Sequence, residues 1–289
     1  MSHPLERLLR STRSLLGVRE MHASQSITAK LYSLALELIT FGKGIPRRLN
    51  GEPVLRLDPC CRFLGDSYEA DVWSWLKQRL KPGDVMLDVG AQFGIYAMLA
   101  ARVTGRGGKV YAFEPAPDSQ KVLRRHLKLN GLEDLVNLVP AAASEHSGEA
   151  ILHMAGTHPS NTLAPTGADP VALTPIKVSV VSLDDYCERK CIIPRLVKID
   201  VEGWELNVLK GAVRLLGHSE TVFLVEMHPY AWQSAGHDAQ AMNNFLKLQH
   251  LEMEPLTGQS DPLLEYGEVW IRHSGEAGMK KFAHKNHAP

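Results

Sequence analysis

Two carboxylates separated by a glycine turn and one helical segment carry the first chemical signal of the chain. Asp88 stands in Val85-Met86-Leu87-Asp88-Val89-Gly90-Ala91-Gln92-Phe93-Gly94, and Glu114 closes Lys109-Val110-Tyr111-Ala112-Phe113-Glu114-Pro115. An apolar run, a glycine turn, a helix and a second apolar run ending in an acid is the order in which a nucleoside cofactor is held at the edge of a parallel sheet. Gly90 and Gly94 let the backbone turn and let a ligand approach without meeting a Cβ. Glu114 ends its strand where an acid accepts hydrogen bonds from vicinal ribose hydroxyls. Pro115 and Pro117 then stop that strand.

Asp88 lies among apolar neighbours at a strand's carboxyl end, so it needs donors from turn amides or from a cationic ligand. The run reads Asp-x-Gly-x-x-x-Gly and departs from the G-x-G-x-x-G dinucleotide fingerprint, whose pyrophosphate an acid in the turn would repel. Positive charge on the ligand suits it better, and the nucleoside that carries such charge is S-adenosylmethionine, through its ammonium and sulfonium groups. The plain alternative is a ligand-free turn with a capping Asp, which leaves the second acid unexplained.

Further polar residues fall at later strand ends: Ser144, then Asp200 and Glu202 in Lys198-Ile199-Asp200-Val201-Glu202-Gly203, then Glu226 and His228 in Val225-Glu226-Met227-His228-Pro229. Ligands of an open α/β sheet lie outside the carboxyl ends of its strands, so these side chains converge on one crevice. A sulfonium methyl donor is intrinsically reactive, and the protein need only align an acceptor and take its proton. His228 suits that role because imidazole titrates near neutral pH, and Asp200 is the competing base. The plain readings are a strand-end hydrogen bond for His228 and a helix N-terminal charge for Glu202. Asp200, Glu226 and His228 also offer oxygen and nitrogen donors for Mg²⁺ or Mn²⁺, but their spacing is no metal signature and no metal is assigned.

The elements that must position these groups follow from periodicity and turn chemistry. Strands are expected near Val85–Val89, Lys109–Phe113, Val136–Pro140, Leu196–Ile199 and Val222–Val225, with helices at Tyr96–Val103, Ser119–Asn130, Glu205–Leu216 and Asp238–Gln249. Leu251–Leu256 and Glu268–Arg272 read as a terminal hairpin, so the sheet is mostly parallel with an antiparallel edge. Glu149–Met154 and Ile176–Val181 read as extra strands flanking a candidate lid, Gly156 to Pro175. Upstream, a helix near Glu69–Leu80 follows short strands around Val54–Leu57, and Leu31–Phe41 reads as a helix packed on the domain. Leu5 to Arg19 reads as a basic amphipathic helix, a transit peptide or membrane-surface helix in one reading and a solvated helix with a partner-facing stripe in the other. The tail from Ser274 reads as disordered.

Composition bounds the rest. The 289 residues and 44% hydrophobic content suit one large domain with an N-terminal attachment. Lys plus Arg and Asp plus Glu number 32 each, so no net field favours nucleic acid or an anionic membrane. Four cysteines, Cys60, Cys61, Cys187 and Cys191, form no zinc spacing and no disulfide scaffold, which points to a reducing, cytoplasmic setting. No run has the length of a transmembrane segment.

Asp88-Val89-Gly90-Ala91-x-x-Gly94, Tyr111-Ala112-Phe113-Glu114-Pro115, Asn130-Gly131, Pro140-Ala141-Ala142, Leu183-Asp184-Asp185, Lys198-Ile199-Asp200-Val201-Glu202-Gly203 and Glu226-x-His228-Pro229 together resemble the FkbM family of S-adenosylmethionine-dependent methyltransferases. The likeness runs in order from about Ser67 to Leu256. It implies a Rossmann-like class I α/β fold with a mostly parallel seven-stranded sheet, and O-methylation of a hydroxyl on a polyketide-type metabolite or a sugar. It further implies that Asp88, Gly90, Ala91 and Gly94 form the methionine-side loop, that Glu114 and Pro115 hold the ribose side, that Ala142 to Ser144 line the adenine, and that Glu69 closes over the cofactor. Gln92 stands where the family has Asn, and Phe93 is bulkier than usual, which alters the pocket shape. The catalytic group is then Asp200, His228 and Glu226, without a choice between Asp200 and His228 as base.

The expected organisation is an N-terminal extension over 1–66, a cofactor-binding domain over 67–273 and a tail over 274–289. A small-molecule or glycan acceptor is the expected partner, and a homodimer is compatible with the chain. A nicotinamide oxidoreductase on the same fold is opposed by the missing third glycine, and a non-catalytic cofactor-binding scaffold by the strand-end acids.

Overall fold

The computed structural model describes residues 27–154, 161–163 and 173–274. The basic segment Leu5–Arg19, most of the candidate lid and the tail beyond Ser274 lie outside the described residues. Among the described residues no helix is long and apolar enough to cross a membrane.

The chain enters through α1 (Ile27–Ile39), the ribbon β1 (Ile45–Arg47) and β2 (Leu55–Leu57), and α2 (Ala70–Arg79). A regular alternation follows: β3 (Val85–Val89), α3 (Ile95–Thr104), β4 (Lys109–Phe113), α4 (Pro117–Asn130) and β5 (Val136–Val139). Next come β6 (Ala142–Ala143), β7 (Gly148–Met154), β8 (Thr174–Val181), α5 (Leu183–Lys190), β9 (Leu196–Ile199), α6 (Glu205–Lys210) and α7 (Val213–Leu216). The last elements are β10 (Val222–Met227), α8 (Ala239–Leu248), β11 (Leu251–Pro255) and β12 (Gly267–His273).

The main sheet has seven strands in the order β11-β12-β10-β9-β3-β4-β5. β10, β9, β3, β4 and β5 run parallel, and β12 and β11 form the antiparallel edge. This is the Rossmann-like α/β sheet expected from the sequence. Its inner strands are apolar almost throughout because helices cover both faces. Side chains alternate between two cores: Met86, Val110, Leu196 and Leu224 pack toward α2 and α3, whereas Leu87, Phe113, Val197 and Val225 pack toward α5, α6 and α8. The same alternation puts Asp88, Lys198 and Glu226 on the face shared with Met86, Leu196 and Leu224. Leu36, Ile45, Leu55 and Leu57 of the N-terminal elements belong to that core as well.

Three local outcomes differ from the expectation. A short three-stranded sheet, β6-β8-β7, forms beside the main one, and β6 rather than a turn carries Ala142. β10 continues to Met227, so Glu226 pairs with Glu268 inside the ladder instead of standing beyond the strand end. The helix expected over Glu205–Leu216 is two short helices. Its break is tertiary in origin: the carbonyl of Gly211 accepts from Ser182 Oγ at 3.0 Å and from the Asp184 amide at 2.9 Å, which removes it from a helical ladder.

A Cβ on Gly211 would stand 2.0 Å from the Ser144 carbonyl oxygen, in backbone that has little freedom to move. Gly211→Ala is therefore expected to lose about 1–3 kcal/mol of stability. Urea denaturation measures it, and a wild-type midpoint would show that the segment 144–145 yields easily.

Candidate active site

Backbone hydrogen bonds fix the turn after β3. The amides of Gly90 and Ala91 both donate to the Phe113 carbonyl at 3.0 Å, and Gly94 N–H donates to Ala91 O at 2.7 Å. Gly90 has φ +81°, and a Cβ there would lie 1.7 Å from the Asp200 carbonyl oxygen, so glycine is required by contact as well as by conformation. Gly94 makes room for Leu123 rather than for a ligand, since its Cβ would stand 2.8 Å from Leu123 Cγ. Gln92 adopts φ 48° without being glycine, and its amide donates to Glu114 Oε2 at 2.7 Å.

Glu114 is 5% exposed, and its other oxygen accepts from the Ala116 amide at 2.8 Å. Burial pushes its carboxyl up to about 7 against the pull of these two amides. Asp88 is 1% exposed and its Oδ2 has no hydrogen-bond partner. Burial pushes it up to about 6, with the Lys198 ammonium opposing.

A cavity opens over this turn. Of the residues singled out in the sequence, Gly90, Glu114, Pro115, Ala142 and Asp200 line it, together with Glu202 and with Asn161, Thr162 and Leu163 of the candidate lid. Thr162 is anchored there: its backbone pairs with His153, and its Oγ1 donates to the Glu202 carbonyl at 2.9 Å. Asp88, Ala91 and Gly94 shape the turn from behind. Ser144 stands one layer back and accepts from Trp204 Nε1 at 3.1 Å, so Trp204 reaches the cavity in its place. Glu69, at the start of α2 with φ 41°, accepts from the Tyr96 hydroxyl at 2.6 Å. Ser119 was not anticipated: it is wholly buried, lines the cavity, and its Oγ has no partner. Its place in the first turn of α4, just after Pro117, was the available signal.

The cavity therefore offers a glycine turn at its floor, a doubly hydrogen-bonded carboxylate just past the end of β4 and the orphaned Ser119 Oγ, while the orphaned Asp88 Oδ2 lies behind the turn. Buried polar atoms without partners are uncommon, and one of these two lines the opening. A nucleoside bearing a cationic group fits this set.

On the far side of Asp200 lies a dense charge cluster. Lys198 is 3% exposed; its Nζ donates to Asp200 Oδ2 at 3.1 Å and stands 4.9 Å from the centre of the Tyr96 ring. Burial works to lower its pKa, yet the carboxylates of Asp200 and Asp88 prevail and raise it. Burial likewise works against the Asp200 charge, but Lys198 and His228 hold its carboxyl below the ordinary range. Glu226, hydrogen-bonded by the Tyr266 hydroxyl, is pushed up to about 8 by burial and by the neighbouring Asp200.

His228 is 2% exposed, and its Nδ1 is 2.9 Å from Glu205 Oε1. Its Nε2 faces Glu202 Oε2 at 3.6 Å and Glu226 Oε1 at 3.9 Å. Burial alone would lower the imidazole pKa, but the carboxylate of Glu205 outweighs it and the group is pushed up to about 9. The sequence expectation of an imidazole titrating near neutrality therefore changes: His228 is a cation at pH 7. Ligand atoms of Asp200, Glu226 and His228 lie within 4.8 Å of one another. A metal ion among them would have to displace Lys198 from Asp200 and Tyr266 from Glu226.

The Methyltransferase FkbM domain family matches residues 88–253 of the chain. A relative described as 31-O-demethyl-FK506 methyltransferase FkbM, from Streptomyces tacrolimicus, is 35% identical in an alignment of 161 positions that covers 46% of this chain and 60% of that protein. Hexuronic acid methyltransferase AglP, from Haloferax volcanii, is 28% identical over 190 residues, which are 64% of this chain and 71% of that protein. The chain thus spans less than two thirds of the first relative's length. A crystal structure of Methyltransferase FkbM from Methylobacillus flagellatus is similar with a TM-score of 0.43 at 16% identity, covering 69% of this chain and 50% of that one.

The charge pattern sets a pH dependence. A carboxyl whose folded pKa is raised binds its proton more tightly when folded, so its favourable contribution is complete at low pH and is lost as pH rises through the folded value. That applies to Asp88 near 6, Glu114 near 7 and Glu226 near 8; the raised His228 adds a loss between its unfolded value and about 9. Stability of the ligand-free protein is therefore expected to fall from pH 5 to pH 9. Thermal unfolding across that range should show a shallower fall in Asp88→Asn; equal slopes would contradict the strained state of Asp88.

Proposed function

The chain belongs to the methyltransferase FkbM domain family, and from that premise we propose that it is an S-adenosylmethionine-dependent O-methyltransferase acting on a hydroxyl of a small molecule or a sugar. The observation that carries this reading is that Gly90 and Glu114, expected on the nucleoside side, and Asp200 and Glu202, expected on the acceptor side, line a single cavity. The names of the two relatives, one for a demethylated FK506 and one for a hexuronic acid, support a polyketide-type metabolite or a sugar as acceptor. All four cysteines are free thiols, which suits a cytoplasmic setting. The cofactor-binding domain is taken as 67–273, with 1–66 as its N-terminal extension and 274–289 as its tail.

In this reading Glu114 accepts hydrogen bonds from the ribose hydroxyls, since its carboxylate is already aimed by two amides. Asp88, behind the turn, would supply the negative charge that suits the cationic methionine part, and Ser119 Oγ would be a donor for the nucleoside side. Pro115 and Ala142 supply apolar walls, and Ala91, Gly94, Ser144 and Glu69 hold the loops that carry these contacts. When bound, the cofactor supplies an electrophilic methyl carbon whose leaving sulfur departs as a neutral thioether.

The rest is work for the chain's own residues. Asp200, held ionised by Lys198, orients the acceptor hydroxyl and takes its proton as the oxygen forms its new bond. Glu226 carries the proton that the low local dielectric forbids to be lost from both carboxylates at once. His228 contributes the positive charge that offsets Asp200 and Glu202 as charge shifts on the acceptor oxygen.

Titration calorimetry with S-adenosylhomocysteine tests the cofactor half: Glu114→Ala should bind roughly 10- to 100-fold more weakly, and unchanged affinity would sink the ribose role. Initial rates on a panel of hydroxylated acceptors test the other half. Asp200→Asn should lose on the order of 100-fold or more in kcat with cofactor affinity kept. Wild-type protein that binds S-adenosylhomocysteine yet methylates nothing in a broad panel would favour a scaffold.

A further inference from the structure

Glu205 had no assigned role in the sequence beyond opening a helix, yet it is wholly buried and meets three nitrogen partners, from the turn before its helix and from the segment after β10. Its Oε1 accepts from the Gly203 amide at 2.8 Å and faces His228 Nδ1 at 2.9 Å, and its Oε2 accepts from Trp232 Nε1 at 2.7 Å. We infer that Glu205 is the positioning residue for His228: it fixes Nδ1 as a hydrogen donor and leaves Nε2 as the ring atom presented to the acceptor. This rests on the reading of the rim at Asp200 as the acceptor side of a methyl transfer.

The geometry gives the argument in two steps. A buried carboxylate accepts and does not donate, so the nitrogen 2.9 Å from it must carry hydrogen. Gly203 and Trp232 cannot reverse that assignment, because both are donors themselves. On the other edge of the ring, the 3.6 Å and 3.9 Å separations from Glu202 and Glu226 are too long for hydrogen bonds. Nε2 is therefore left uncommitted, between Glu202, which lines the cavity, and the buried Glu226. The rings of Tyr230 and Tyr266 flank the imidazole at 5.7 Å and 5.3 Å, and both tyrosines are exposed, so this edge of His228 lies just beneath an accessible surface.

A helix N-terminal charge would account for an acid at position 205, but not for its three donors. The helix dipole asks only for proximity, whereas Trp232 and His228 come from the segment after β10 and meet the carboxylate with one hydrogen each. The role is that of an orienting carboxylate behind a histidine, in which charge and acceptor geometry fix the ring's orientation and support its positive charge.

Histidine ¹⁵N resonances of the ligand-free protein, with His228 assigned by its loss in His228→Gln, test the assignment without any substrate. Wild type should show a protected Nδ1 proton, and Glu205→Gln should lose it while keeping S-adenosylhomocysteine affinity within about twofold. In the same variant kcat should fall roughly 100-fold with KM little changed. The Gln amide opposes the Trp232 donor, so Glu205→Gln/Trp232→Phe relieves that clash and returns a carbonyl to Nδ1. This double variant should regain the Nδ1 proton and at least about tenfold of the lost kcat. A wild-type His228 without hydrogen on Nδ1, or a folded Glu205→Gln with wild-type kcat, would overturn the inference. Wild-type protein that fails to bind S-adenosylhomocysteine would overturn the methyl-transfer reading instead, and the calorimetry separates the two failures.

Discussion

One buried ammonium makes the rest of the site sustainable. Lys198 sits in the middle of the sheet, on the same face as Asp88 and Glu226, with Asp200 3.1 Å from its Nζ. Without it, three carboxylates would share a low-dielectric pocket, and each would bear the cost of its own desolvation as well as repulsion from the others. With it, the charges divide: Asp200 stays ionised, Glu226 keeps its proton toward neutral pH, and Asp88 is left under tension. The Tyr96 ring beneath the ammonium adds a further favourable contact without adding a charge.

Strand parity explains why the charges meet at all. Asp88 pairs across the ladder with Lys198, and Lys198 in turn with Leu224, which leaves Glu226 one pleat further along the neighbouring strand. A slip of one residue in β9 would turn Lys198 toward α5 and α6 and send Val197 into the acids. The apolar residues that alternate with these charges therefore do more than fill the core, because their burial on two faces fixes the register that the polar cluster requires.

How much of this could be read from the sequence follows from the range over which each feature is determined. The turn at Gly90 was legible because its demands are local: a strand end, a positive φ and an acid at the next strand end. The mostly parallel sheet with its antiparallel edge followed from the alternation of elements for the same reason, whereas its seven strands were implied by the family resemblance. Glu205 was illegible, since an acid at a helix start has a sufficient local explanation and its true partners, His228 and Trp232, lie more than twenty residues away. Lys198 was hidden in an apolar strand, where its charge reads as an exception until Asp88 and Asp200 are placed around it. The break at Gly211 depends on the Ser144 carbonyl and on Ser182, neither of which helix periodicity can see.

The missing Cβ of Gly90 has a mechanical corollary. That glycine lies directly on the Asp200 carbonyl, so the turn after β3 and the end of β9 are two surfaces of a single backbone contact. Neither can shift without the other. A displacement of the turn after β3 is thus passed to the end of β9 through main chain alone, with no side chain between them to absorb it.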